Sequence, residues 1–150
     1  MALLALLVAL PASAEWHRYS DTAMTTPVEL EFWADESVTA DVVVFDVFHR
    51  VDIQMSRYRA DSELSALNRE AGKGPVNVSD GLFKVLQKAR EVSELSEGAF
   101  DVTFGSVGYL YDFRAGKQPT DEQVATGLTR VNFRDVVLDV SGQTVAFRQP

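Results

Sequence analysis

One apolar run constrains this chain more than any other feature. Leu82, Val85, Leu86, Ala89, Val92 and Leu95 recur at three- and four-residue spacings. That period puts them on one face of an α-helix, and such a face must be buried against another element. Ser79 stands where an N-cap belongs, and Gly98 supplies the left-handed backbone that closes a last turn. Beyond it, Ala99-Phe100-Asp101-Val102-Thr103-Phe104 carries a carboxylate into an apolar, glycine-punctuated stretch. The plainest reading is a helix stop followed by core residues Phe100, Val102 and Phe104.

The rest of the chain supplies what this helix packs on. Val28-Glu29-Leu30-Glu31-Phe32 alternates apolar and acidic residues as a half-buried strand does, with Trp16–Tyr19 as a hairpin partner joined through Asp21–Pro27. A first long helix is expected from Ser37 to Met55, with Val44, Phe48, Val51 and Met55 on its buried face and Asp46, Arg50 and Asp52 largely away from it. Ser62 caps a short helix over Glu63–Glu70, ended by Gly72 to Gly74, and Pro75-Val76-Asn77-Val78 reads as an edge segment. Thr120 to Gln123 is a capping-box start, opening a helix with Val124 and Leu128 inside. Val136–Val140 and Thr144–Phe147 form a second hairpin through Ser141-Gly142. Helices flanked by hairpins at both ends predict an α+β fold: a mixed or antiparallel sheet with packed helices, in one domain.

Charge and composition exclude several classes. A formal net charge of −8, with no run of Lys or Arg, argues against a nucleic-acid or anionic-membrane surface. The absence of cysteine removes disulfides, thiolate catalysis and Cys-ligated zinc. His17 and His49 lie far apart in different element types, so neither a two-histidine metal site nor a Ser-His-Asp triad is expected. Residues 1–14 form a short apolar run ending in Ala12-Ser13-Ala14, the A-x-A pattern of a signal-peptide cleavage site. Glu15 is then the mature start, residues 15–150 form the domain, and the protein is exported. The competing reading, a buried N-terminal helix, sits less well with Pro11 and the small residues.

Two stretches carry candidate chemistry. Tyr58 sits between Arg57 and Arg59 in a loop after the first long helix. An aromatic flanked by cations suits a planar anionic ligand, the ring stacking while a guanidinium meets phosphate. The alternative is a tyrosine packed on the protein beside two solvated arginines, and physics alone favours it. Asp101 suits a sugar hydroxyl or an exocyclic amine, and it equally suits a cap on the following turn. Gly105-Ser106-Val107-Gly108 is a small glycine loop free to approach a phosphate, although neither a Walker loop nor GxGxxG is present.

Three ordered motifs resemble one family. Met55-Ser56-Arg57-Tyr58-Arg59-Ala60-Asp61-Ser62-Glu63, with Asn68, fits MSxYxxDSExxxxN; Pro75 to Ser79 fits PVxVS; Gly98-Ala99-Phe100-Asp101-Val102-Thr103 fits GAFDxT. Together they resemble the ApbE family, the FAD:protein FMN transferases. The resemblance implies an enzyme that cleaves the FAD pyrophosphate, joins FMN to a Thr or Ser hydroxyl of a target protein and releases AMP, with Mg²⁺. It implies that FAD contacts Met24, Tyr58, Ala99, Phe100 and Asp101, and leaves the catalytic residues unassigned. Met24 answers to the methionine of a Met-Gly-Thr strand motif, in which Thr25 here replaces the glycine. The implied partner is an acceptor subunit of an exported flavoprotein or membrane redox complex, on the periplasmic or cell-envelope side of the inner membrane. The family's DLGGIAKGYAxD-type segment and late Asp-Pro motif, which supply the metal ligands, are not found in this chain. The expectation is therefore an N-terminal half holding one wall of a FAD site, no complete metal site, and no activity by itself. The other readings are a non-catalytic exported FAD-binding module and an exported structural domain without a ligand.

Overall fold

The computed structural model describes residues 14–35, 39–113 and 115–149. The expected signal peptide therefore lies almost wholly outside the described residues, as does Ser37 at the expected start of the first helix. Contacts divide the chain into two compact units at Asp52 and Ile53.

The first unit holds an antiparallel hairpin, β1 (Glu15–Ala23) and β2 (Thr26–Ala34), and most of α1 (Ala40–Met55). The strands are longer than the sequence suggests, because the turn is only Met24-Thr25. Both turn residues have positive φ, 50° and 62°, the left-handed signature of a type I′ turn, whose twist matches that of the paired strands. Neither residue type advertises that conformation, so the sequence suggested a longer loop. Alternation is strict: Val28, Leu30 and Phe32 are half-buried, while Glu29 and Glu31 are exposed. On the exposed face Trp16 and Trp33 meet edge to face at 5.6 Å, and Arg18 pairs with Glu31 at 2.9 Å. On the covered face His17, Tyr19 and Phe32 stack. His49 of α1 reaches Asp21 of β1 at 3.0 Å. The expected stripe of α1 is half-buried, but its one fully buried residue is Phe45.

The second unit contains α2 (Glu63–Glu70), β3 (Val76–Asn77), α3 (Asp80–Leu95), α4 (Gly105–Gly108), α5 (Asp121–Leu128), β4 (Val136–Asp139) and β5 (Thr144–Phe147). Its sheet is antiparallel in the order β3-β5-β4, so β3 is an edge and β5 is central. The core joins Leu67 of α2 and the following Ala71, Val78 just before α3, Leu82, Phe83 and Leu86 of α3, and Val136 and Val145 of the sheet. Each large side chain buried here contributes about 1.5–3 kcal/mol. The N-caps Ser62, Ser79 and Thr120 form as the sequence indicates, the last with a full capping box.

The buried stripe of α3 departs from expectation. It runs Leu82, Phe83, Leu86, Ala89 and Ser93, whereas Val85, Val92 and Leu95 are exposed, Leu95 by 77%. Apolar residues occupy more than one face of this helix, so spacing alone does not choose between faces. Ser93 goes inside because its hydroxyl donates to Ala89 O at 2.9 Å and so loses nothing by burial. The helix ends at Leu95, followed by Glu97 and Gly98 at φ 53° and 88°.

Phe100, Val102 and Phe104 are also not core. They are 45%, 36% and 52% exposed, and Val107 and Phe133 are buried instead. The glycine loop at 105–108 is a helical turn rather than a free loop. Leu128 of α5 is exposed, while Gly127 is buried where α5 crosses α4. A Cβ on Gly127 would stand 2.9 Å from Val107 Cγ2 and 3.0 Å from Ser106 O, so only glycine allows this approach.

Candidate functional site

The loop between α1 and α2 is a closed hydrogen-bonded unit. Ser62 Oγ donates to Ser56 O at 2.6 Å and accepts from Ser65 N at 3.0 Å. Ser62 N donates to Arg59 O, and Tyr58 N to Ser56 Oγ. Glu63 reaches across to the start of α3, where its carboxylate accepts from both the amide and the hydroxyl of Ser79. The first two motifs are thereby fastened to each other, a connection the spacing of the sequence does not reveal.

This bracing holds Tyr58 out in solvent, 81% exposed. Its ring is not packed on a core. The Arg57 guanidinium lies 4.5 Å from its centroid, and one Nη donates to its hydroxyl. The same guanidinium lies 4.7 Å from the centroid of Tyr109, the residue that ends α4. Arg59 turns away to Asp61 at 3.0 Å. Of the two flanking arginines, Arg57 therefore belongs to an aromatic cluster and Arg59 to a surface ion pair. Tyr109 carried no signal in the sequence.

Asp101 is positioned by the end of α3. Ala99 N donates to Ser96 O and Phe100 N to Ser96 Oγ, both at 3.0 Å, so the chain wraps the helix terminus before turning inward. The Asp101 carboxylate then takes three hydrogen bonds. Oδ1 accepts from Thr103 N at 2.8 Å and Thr103 Oγ1 at 2.6 Å, and Oδ2 accepts from Phe133 N at 2.9 Å. Thr103 Oγ1 in turn accepts from Asn132 N at 2.8 Å. Between the two readings of Asp101, capping is what the structure contains, and the cap reaches further than the next turn: it pins the segment before β4. Thr103, the last residue of GAFDxT, completes the pin.

Tyr58 and Asp101 are linked through one short path. Asp101 caps the 3₁₀ turn Val102–Phe104, that turn runs into α4, and α4 ends at Tyr109 against Arg57. Around this path the exposed apolar groups are Val102 and four aromatic residues, Tyr58, Phe100, Phe104 and Tyr109. Met24 belongs to the first unit, at the hairpin turn, 48% exposed. The glycine of the Met-Gly-Thr pattern falls on Thr25, whose φ is 62°. At that position a glycine relieves backbone strain. A cleft of about 320 Å³ lies elsewhere, between α4 and α5, with Ser106, Glu122, Gln123 and Arg130 on its walls, and holds none of the five candidate residues. Among the described residues no three acidic or histidine side chains converge as a cation site.

The sequence pattern of the ApbE family matches residues 24–150. The chain is similar to the FAD:protein FMN transferase of Haemophilus influenzae, 33% identical over 132 residues that cover 81% of this chain and 38% of that protein. It is also similar to the protein of that name from Vibrio cholerae, 33% identical over 132 residues, covering 83% of this chain and 40% of the relative. Among solved structures, the flavin transferase ApbE from Vibrio cholerae superposes with a TM-score of 0.81 at 28% identity, over 92% of this chain and 47% of that one. The ApbE protein from Thermotoga maritima shares the fold, with a TM-score of 0.77 at 18% identity, over 89% of this chain and 45% of its own. The chain thus spans less than half the length of these relatives. With this match over most of its length, the chain belongs to the ApbE family.

Proposed function

We propose that this chain forms one wall of a FAD site in an FAD:protein FMN transferase. The observation that carries the reading is the solvent-facing cluster of Arg57, Tyr58 and Tyr109, held by the family's own motifs. In the proposed reaction an acceptor Thr or Ser oxygen attacks the FMN phosphorus of FAD. A new P–O bond forms, the pyrophosphate P–O bond breaks, AMP leaves and the hydroxyl proton is lost. This chain's part is to bind and orient: Tyr58 offers a π-face, and Arg57 offers a cation for phosphate. The backbone at Ala99 and Phe100, fixed by Ser96 and by the Asp101 pin, gives a rigid edge. Met24 is assigned to the same ligand from its motif position.

Mg²⁺ belongs to the proposal as the cation the family resemblance implies. Among the described residues no three acidic or histidine side chains converge that could hold it. The remaining chemistry falls to the part of the family sequence that this chain does not span. The proposal also places the protein outside the cytoplasm, supported by the apolar run and A-x-A pattern of residues 1–14. The acceptor then belongs to an exported flavoprotein or a membrane redox complex. N-terminal sequencing of the exported form should begin at Glu15.

The test is a titration of FAD against the purified full chain, followed by flavin fluorescence and thermal shift. Saturable binding is the expected result, and a folded chain that leaves both signals unchanged would sink the reading. Adding the remainder of a family relative in trans, with FAD, Mg²⁺ and an acceptor protein, should give a flavin-fluorescent acceptor band after denaturing electrophoresis.

A further inference from the structure

The motif MSxYxxDSExxxxN leaves position 57 open, yet Arg57 makes the most unusual contact of this loop. Its guanidinium lies 4.5 Å from one tyrosine centroid and 4.7 Å from another. The guanidinium therefore lies over both rings, and a planar heteroaromatic ring stacking on them, at a centroid separation of about 4.5–7 Å, needs that same space, the Tyr58–Tyr109 slot. Tyr58 and Tyr109 are 81% and 54% exposed, so each cation–π contact is worth only a factor of about two to five, and the Arg57 hydrogen bond to the Tyr58 hydroxyl is exposed and exchangeable with water. Arg57 can swing clear on its flexible stem while its charge stays at the mouth of the slot.

We propose that Arg57 is a displaceable plug: it fills the Tyr58–Tyr109 slot until a planar ring of the dinucleotide enters, then turns to the diphosphate attached to that ring. This deepens the FAD-binding reading and rests on it. The device sets specificity, because a ring without phosphate must expel the guanidinium and offers it no new partner. A ring carrying a diphosphate repays the displacement with a charge-assisted contact. Either ring of the dinucleotide, isoalloxazine or adenine, satisfies this chemistry.

The experiment uses the full chain and its Arg57→Ala, Arg57→Lys and Tyr109→Leu variants, with thermal melts to establish that each is folded. In the ligand-free protein the Arg57 δ-methylene protons should show an upfield ring-current shift relative to Arg59, reduced in Tyr109→Leu. Saturating FAD should abolish it. Arg57→Ala should bind riboflavin or adenosine about three- to tenfold tighter than wild type, and the nucleoside that gains names the ring taking the slot. Its preference for FAD over that nucleoside should fall about tenfold, while Arg57→Lys retains most of the preference. Bound FAD with the Arg57 shift intact would make Arg57 a fixed wall and overturn the plug while leaving FAD binding in place. Equal weakening of riboflavin, adenosine and FAD by Arg57→Ala would do the same. Failure of wild type to bind FAD would remove both readings, leaving the ring-current shift as the mark of a purely structural contact.

Discussion

Replacing Asp101 by alanine should damage the fold before it reports on any ligand. The carboxylate accepts from Thr103 N, Thr103 Oγ1 and Phe133 N at 2.6–2.9 Å, in a partly buried setting. A hydrogen bond to a charged group contributes about 1.5–3 kcal/mol, and a donor left unsatisfied after truncation costs about 1–3 kcal/mol. Water reaches part of this site, so a total of about 3–5 kcal/mol is the reasonable scale, a large fraction of the ~5–15 kcal/mol that holds a domain together. Asp101→Asn is milder. Its oxygen can keep the pair of Thr103 bonds, but its amide then faces the Phe133 N–H, donor against donor, for a loss of about 1–3 kcal/mol. Denaturant unfolding gives the totals, and amide exchange locates them: Thr103 and Phe133 should lose protection first. If Asp101→Ala unfolds within ~0.5 kcal/mol of wild type, the pin carries no weight and the argument for it fails. Only FAD affinities measured where every variant is folded then speak to a direct role for Asp101.

Three further outcomes follow from the geometry. Thr25→Gly should stabilise the hairpin by about 0.5–1 kcal/mol: a non-glycine residue at φ 62° costs about 1–2 kcal/mol, and glycine returns about 0.5–1 of that through unfolded-chain entropy. Trp16 and Trp33 are the chain's two tryptophans and lie in contact, so the melt of their exciton couplet reads this unit; an unchanged or lower midpoint would count against the strain. Gly127→Ala should destabilise by about 1–2 kcal/mol, the overpacking against Val107 and Ser106 exceeding alanine's helix advantage, as measured by urea unfolding; a variant at least as stable would mean that α5 does not sit this close to α4. Asp139 is held below the ordinary carboxylate range first by the Ser141 hydroxyl and then by the Ser141 amide. A depressed folded pKa gives support that is full above the unfolded value of about 3.9 and is lost as pH falls through the folded one. Ser141→Ala should therefore lower the melting midpoint at neutral pH, and the deficit should shrink as pH falls through the folded pKa; a difference undiminished in acid would assign the effect to something other than the carboxylate.

What was legible in the sequence was whatever depends on local chemistry. Ser62, Ser79 and Thr120 cap their helices because a short side-chain oxygen before a helical run has little else to do. Alternation at Val28–Phe32 marked a strand because a pleat offers only two faces. The choice among faces was not legible. Val85, Val92 and Leu95 read as core, yet α3 buries Phe83 and Ser93 instead, since the outcome depends on which face β5 and α2 meet. The turn at Met24-Thr25 was hidden because its residues accept strain rather than announce it. Gly105–Gly108 read as a phosphate-seeking loop, although two glycines do not prevent a helical turn when Val107 is buried against α5. Of the candidate site, the motifs themselves were legible. Tyr109, which brings the two loops together, was not, because it acts through a contact with Arg57 far away in sequence.

The polar motif residues and the exposed aromatic ones divide by what their side chains are already doing. Ser62, Glu63, Ser79, Asp101 and Thr103 spend their oxygens on backbone amides or on one another, joining α2 to α3 and the end of α3 to the segment before β4. A side chain so occupied positions its neighbours. Adjacent in the same motifs, Tyr58 stands largely in solvent at 81% exposure and Phe100 partly so at 45%. Burying a ring is the ordinary outcome when nothing opposes it. Here a network of hydrogen bonds on either side holds each ring out. The motifs thus read as a frame whose purpose is to keep a few aromatic faces available, and the frame's stability is the condition for their use. A substitution in the frame should lower stability and affinity together, whereas one at Tyr58 should lower affinity alone.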